Sequence, residues 1–417
     1  MVLSQAQLPI SRGGCGLRNS VRTSPAAYWA SLADCLPGIA DRFPAVGANM
    51  ALQLSMLSLL DASQDIEGPE CLAAAEKAGQ LCAHRGWDKR PTWISLMAGE
   101  RPPNPPDNYE ILGEWKHGWQ FFASEVAEDL ELSSLLRALA WPSTRVNAAA
   151  VGKSRMHSCM GPFAGSWLVA CPTSPALQFS NIELRSAMRL RLGMALSFEG
   201  NDAHGHMAMA TSFGGGINAR HSILTAAWRQ VFIEAGGRIP DRNVERLLSR
   251  TYVQVPAHDL RRMDLVVPGL SVEHGVPLFC DVTVLSPITR TGEARPGTSN
   301  RGGRLLETAH QDNEDNYRPV LDSGIASLKC LGCEVFGRWS ADCVQMVPAM
   351  ALQRTKGLHV RVRRGLALAL QRRWWGVLSI ALQKAVANQV QNFASGGADL
   401  FVLASEEPTF LADLDVL

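Results

Sequence analysis

Acidic residues are missing from residues 344–398, a stretch that carries Arg354, Lys356, Arg361, Arg363, Arg364, Arg372, Arg373 and Lys384. Over the whole chain the formal net charge is only +1, so a basic surface that covers the molecule is excluded and any contact with a polyanion must be local. No apolar run is long enough to span a bilayer: the longest candidate, 365–382, is interrupted by Gln371-Arg372-Arg373, and no membrane contact is expected. The first residues, Met-Val-Leu-Ser-Gln-Ala-Gln, lack a basic region followed by a continuous apolar core, so no signal peptide is expected. Nor do the ten cysteines fall into a framework spacing, which fits reduced thiols in an intracellular protein. The one CxxC, Cys330-Leu-Gly-Cys333, lies in an apolar run that reads as a strand. Positions i and i+3 of a strand point to opposite faces, which argues against a zinc or redox site.

What is present suffices for packed cores. A chain of 417 residues with 46% hydrophobic and 19% charged residues has room for two or three domains. Helical periodicity runs through 46–62, 69–84, 181–195 and the segment after Arg220-His221-Ser222. The last of these has an apolar stripe (Ile223, Leu224, Ala227, Trp228, Val231, Phe232, Ala235) and stops at Gly236-Gly237. Ser24 before Pro25 reads as a helix N-cap, and 115–140 as two helices. The proline-rich 99–107 reads as an extended linker. Strand-like runs appear only later, so the fold class is α+β.

Two of those runs, 265–267 and 277–285, flank a connection punctuated by Pro268-Gly269 and His274-Gly275, which predicts a hairpin. Folded about Val272 and Glu273, it sets Asp264 opposite Asp281. Opposed residues have Cβ atoms roughly 4.5–5.5 Å apart, and like charges there destabilise the pair. A divalent cation such as Mg²⁺ removes that repulsion, being commonly held by one or two carboxylates with phosphate oxygens. The alternative is a bulge that offsets the register and leaves both aspartates as solvated strand ends.

Arg-x-Asp264-Leu-Val-Val followed by Asp281-Val-Thr283-Val resembles the restriction-enzyme-like endonuclease that follows the reverse transcriptase in site-specific non-LTR retrotransposons, a member of the PD-(D/E)XK nuclease superfamily. The resemblance implies a mixed sheet flanked by helices, with Asp264 and Asp281 as Mg²⁺ ligands and catalytic residues. Met263 stands where that family has proline, and Thr283 where the superfamily has its catalytic lysine. In relatives the lysine often moves to the following helix, ahead of a tyrosine; here 303–320 contains Tyr317 and no lysine. The opening Leu8-Pro-…-Gly13-Gly14-Cys15-Gly16-Leu17 resembles a segment just past the polymerase palm, with Cys15 where leucine is usual. His204 and His206 fall where the family has a Cys-Cys-His-Cys knuckle, but no cysteine lies between Cys171 and Cys280, so no zinc is expected. Arg220-His221-Ser222 corresponds to the family's Arg-His-Asn; both side chains are candidates for phosphate contact, or else plain exposed polar residues. The palm's Tyr/Phe-x-Asp-Asp is absent and no Asp-Asp pair occurs, so the chain is not expected to polymerise DNA.

The expected organisation is a thumb-like helical region (1–98), a linker and connector (99–180), the endonuclease-like domain (181–343) and a basic helical tail (344–417). Arg361, Arg363, Arg364, Arg372 and Arg373, interleaved with Trp374-Trp375, suit a DNA or RNA backbone with base stacking. They suit equally a helix whose tryptophans are core and whose arginines are solvated. Three functions follow: a metal-dependent DNA endonuclease impaired by its missing lysine, a non-catalytic nucleic-acid-binding module, or a decayed reading frame. The resemblance places the protein inside the cell, in the nucleus.

Overall fold

The computed structural model describes residues 1–59, 69–103, 118–140, 146–196, 203–211, 215–239, 246–270, 272 and 275–394. The fold is mixed α+β, mainly helical, with one small three-stranded mixed sheet. Among the described residues no helix is long and apolar enough to cross a membrane.

The first core is all helical. Helices α2 (Ser20–Arg42), α3 (Pro44–Leu57), α4 (Glu70–His84) and α5 (Trp93–Met97), with the start of α6 (Trp119–Ala140), close around Trp29, Trp87, Trp93 and Trp119. Trp29 packs edge-on against Trp87 at a centroid distance of 4.8 Å, the offset geometry aromatic quadrupoles favour. Glu76 is fully buried there and accepts from Trp93 Nε1 at 2.5 Å and Arg90 Nη2 at 3.0 Å, which compensates its desolvation. Helix α2 is capped five residues before the expected Ser24, because Asn19 Oδ1 accepts from the Val21 and Arg22 amides. Residues 119–140 form a single helix; Trp115 and most of the proline-rich linker lie outside the described residues.

The opening segment touches that bundle where Arg22 of α2 donates to Gln7 O at 2.6 Å, but its apolar contacts lie elsewhere. Leu8 packs with Leu135 and Met156, on α6 and α7 (Val146–Cys159). Its loop wraps a buried arginine: Arg191, on α8 (Asn181–Leu192), donates to Gly14 O at 2.9 Å and Ile10 O at 2.8 Å. A Cβ on Gly14 would lie 2.0 Å from Leu8 O, so the tight loop requires glycine there. The glycine-rich opening thus binds a guanidinium with its carbonyls.

The second core runs from Cys159 to Val390 and contains the sheet. Strand β1 (Arg246–Leu247) pairs antiparallel with β2 (Arg262–Met263). Past Asp264 the chain continues as β3 (Leu265–Val267), antiparallel to β4 (Leu278–Leu285), which is parallel to β5 (Ser327–Glu334). Helix α10 (Gly216–Glu234), after the short α9 (His206–Ala210), precedes the strands. Helices α11 (Arg304–Asn316) and α12 (Arg318–Ser323) cross from β4 to β5, and α13 (Ala341–Arg354) and α14 (Val360–Ala394) follow. Leu278, Cys280 and Val282 alternate onto the face covered by α10, while Phe279 packs on the opposite face with Tyr317 and Val320. The later turns of helix α14 lie in this same core, with Trp374 and Trp375 0% and 1% exposed, so the C-terminal helical region packs on the sheet's core there. Trp375 stacks on Phe163 at 4.4 Å. These tryptophans are therefore closed to base stacking.

Candidate functional site

The hairpin folds in the register its sequence implies. Leu265 pairs with Cys280 and Val267 with Leu278, so Asp264 and Asp281 are the residues next beyond the last pair of the ladder, and they are close enough for the Asp264 charge to act on Asp281. The ladder itself stops there: β2 and β3 part at Asp264, and its Oδ2 takes the Val282 amide at 2.7 Å in place of a backbone acceptor. The same oxygen meets His221 Nε2, near the start of α10, at 2.9 Å. The Asp264 side chain is 15% exposed and that of His221 33%, so the pair stands at an accessible edge of the sheet.

Asp281 is held by neutral donors. Thr283 Oγ1, two residues along on the same face, donates to Oδ2 at 2.8 Å, and Asn313 Nδ2 donates to it at 3.0 Å. Tyr317 OH approaches Oδ1 at 3.5 Å and donates to Arg262 O at 2.6 Å. Burial raises the Asp281 pKa above the usual aspartate value, and the neighbouring Asp264 charge raises it further; the Thr283 and Asn313 bonds oppose this. Tyr317, buried against both carboxylates, is pushed well above the usual phenol range. Asn313 also bonds Cys330 Sγ at 3.1 Å, and burial pushes that thiol up to about 11. Both cysteines of the CxxC are free and buried, Cys333 on the core side.

The chain matches no protein family and no curated protein.

Reasoning from sequence singled out Asp264, Asp281 and Thr283, and the fold brings these three together. It did not name His221 as the partner of Asp264, or Asn313 at all. Asn313 and Tyr317 are four apart on one helix and share a face, which is the one signal that could have linked them. Two arginines that could stand in for the absent lysine have acids of their own: Arg318 pairs with Asp315 at 2.7 Å and Arg304 lies 3.8 Å from Glu307.

Arg220 corrects the expectation that it meets phosphate. It is 2% exposed, and its guanidinium donates to Met209 O, Gln389 Oε1 and Val284 O at 3.0, 2.7 and 3.2 Å. Burial without a carboxylate partner lowers its pKa to about 10. Arg220 thus clamps α10 to α14 and β4, which aims the adjacent His221 at Asp264. Arg373 is likewise occupied, by Glu234 at 2.9 Å, while Arg361, Arg364 and Arg372 are exposed and Arg363 is half-buried.

Among the described residues, no group of three or more His, Cys, Asp or Glu side chains is arranged to hold a metal ion. His204 and His206 stack ring on ring, centroids 5.6 Å apart. At the hairpin the donor set is two carboxylates, which is within what Mg²⁺ takes from a protein when water and phosphate complete its shell.

Proposed function

We propose that this chain is a fragment of a retrotransposon-type reverse transcriptase/endonuclease protein whose second core is a PD-(D/E)XK-like nuclease unit with impaired metal-dependent DNA strand cleavage. The observation that carries this reading is the β3–β4 register, which ends at Leu265 and Cys280 and so has Asp264 and Asp281 as the next residues on the two chains, with the charge of one acting on the other. The order of helix α10, hairpin, helices α11–α12 and parallel strand β5 around that pair supports it.

Asp264 and Asp281 would hold the Mg²⁺; burial first, and then the Asp264 charge, raise the Asp281 pKa, and such a cation relieves that repulsion. Bound there, the ion would supply an activated water and neutralise phosphate charge. The chain's own residues orient the ligands: His221 and the Val282 amide fix Asp264, and Thr283, Asn313 and Tyr317 fix Asp281. No lysine stands among these contacts, and a missing preorganised cation typically costs on the order of 10²–10³ in rate. Arginine cannot take over as a base, since guanidinium stays protonated.

A second reading, a nucleic-acid-binding module without catalysis, is favoured by one observation: the side chains that hydrogen-bond Asp281, those of Thr283, Asn313 and Tyr317, are neutral donors. Arg361, Arg363, Arg364 and Arg372 would then contact the DNA or RNA backbone, with a salt-dependent affinity. Plasmid nicking in Mg²⁺ or Mn²⁺ by the wild type and by Asp281→Ala, with DNA binding measured in parallel, separates the two. Weak nicking lost in Asp281→Ala supports the nuclease. Binding with no nicking supports the module, and neither activity leaves a decayed reading frame.

A further inference from the structure

Helix α3 is uncharged on every side, and one of its sides stands open. Between Arg42 and Asp61 the sequence contains no acidic or basic residue and no histidine. Gly47, Ala51, Leu54 and Leu57 are buried on the side turned to the helical core. The opposite side presents Ala45, Ala48, Asn49, Leu52 and Met56, and the right-handed helical cap at Ser58 carries the turn on to Leu59. All six are exposed, Leu52 by 57%, Met56 by 61% and Leu59 by 86%. At about 100° per residue they fall within roughly 60° of Leu52, so they form one face. The neighbouring α4 shows the ordinary pattern, with Glu70 and Lys77 exposed. A helix that is apolar all round is normally buried, and a contiguous exposed apolar patch marks an interaction surface.

We infer that this face is a dimer interface, on which a second copy of the chain lays its own α3 antiparallel about a twofold axis at Leu52. The face is small at its N-terminal end (Ala45, Ala48) and large at its C-terminal end (Met56, Leu59). An antiparallel pair centred on Leu52 sets Ala45 level with Leu59 of the second copy and Ala48 level with its Met56. Small then meets large at both ends, as an isologous contact requires. A parallel pair would crowd large residues at one end and leave a gap at the other. Antiparallel pairing also brings each helix N-terminus beside the C-terminus of the second copy, where the macrodipoles attract. Charge argues for the same occupant. Self-pairing here opposes no like charges, whereas a phosphate backbone or lipid headgroups would find no lysine or arginine on the face. The face would bury on the order of 500 Å² per copy, less than the ~800 Å² of a standard interface, so the dimer is a reversible one at micromolar protein. This pairing is independent of the nuclease reading above.

Sedimentation equilibrium on the full chain, over roughly 1–100 µM, tests it. The wild type should pass from monomer to dimer. Leu52→Glu sets two carboxylates together at the axis and should raise the dissociation constant at least tenfold, with the circular dichroism and thermal unfolding of the monomer unchanged because the site is exposed. Ala48→Glu and Met56→Lys should each weaken the dimer, and the two in one chain should restore it, since only the antiparallel register pairs position 48 with position 56 of the second copy. A wild type that stays monomeric throughout overturns the proposal, and if it instead binds uncharged phosphatidylcholine vesicles the face belongs to a bilayer. A dimer indifferent to Leu52→Glu overturns it by placing the interface elsewhere. A dimer weakened by Leu52→Glu but not restored by the paired charges overturns the antiparallel arrangement.

Discussion

Asp281 carries its charge where burial and Asp264 both oppose it, and this has a measurable sign. Its folded-state pKa is raised above the unfolded value, so between those two values the folded chain holds more proton than the unfolded one. Stability therefore falls as pH rises from the usual aspartate range through the folded value, and the full penalty is present above it. Asp281→Asn removes the charge but can keep the contacts: its Oδ1 can accept from Thr283 and Asn313, with Nδ2 toward Tyr317 OH. We expect the variant to be more stable than the wild type at pH 7, by thermal or urea unfolding, and the advantage to close as pH falls through the carboxylate range. A variant less stable at pH 7 would show that the ionised form is needed to hold the site.

The same contacts locate the missing cation. Thr283 and Asn313 both touch Asp281 Oδ2, one from β4 and one from α11. A lysine at either position can bring an ammonium to the carboxylate pair. Thr283→Lys and Asn313→Lys should each raise Mn²⁺-dependent nicking, by up to on the order of 10²–10³ if one preorganised charge is all that is lacking. If both leave nicking at the Asp281→Ala level, the absent lysine is not what limits the site.

At the level of elements, helix α10 teaches how far a sequence can be read. Its stripe is buried as the periodicity implies for Leu224, Ala227, Trp228, Val231 and Phe232, while Ile223, at the stripe's edge, is 38% exposed. The hairpin was legible because turn residues and strand runs fixed a centre, and a two-residue side-chain period ties register to face. Arg220 was not legible. An arginine near a helix start looks like a surface cation, and only the tertiary approach of Gln389, 169 residues away, and of the Met209 and Val284 carbonyls gives it an interior role. The tail misled in the same way: basic residues between tryptophans suit nucleic acid, yet the helical turn sends Trp374 and Trp375 inward and Arg372 outward. Truncating the clamp should accordingly be costly. Arg220→Ala strands buried carbonyl acceptors on three elements and should destabilise the second core by on the order of 3 kcal/mol, measured by urea unfolding. Arg372→Ala should leave stability within about 0.5 kcal/mol.

On the scale of the whole molecule, the two cores share few described contacts outside α6 and the opening segment. Arg12 reaches Glu128 at 2.7 Å and Asp129 at 2.8 Å, and Arg22 lies 3.9 Å from Glu131, so charged side chains along α6 carry much of the link. Most of these acids are partly exposed, and such pairs contribute at most about 1 kcal/mol each. Two cores so weakly joined should unfold in two calorimetric transitions, each sensitive to its own interior. Glu76→Ala leaves Arg90 and the Trp93 indole unpaired in the helical core, at a cost of about 3–5 kcal/mol. For a unit of roughly 100 residues that lowers one transition by at least ~10 °C. Trp375→Ala removes a side chain 1% exposed and stacked on Phe163, costs a similar ~3–5 kcal/mol, and should lower only the other. If either substitution moves both transitions together, α6 couples the cores into one cooperative unit. The helical bundle would then be part of the scaffold that holds Asp264 against Asp281, and not a separate domain beside it.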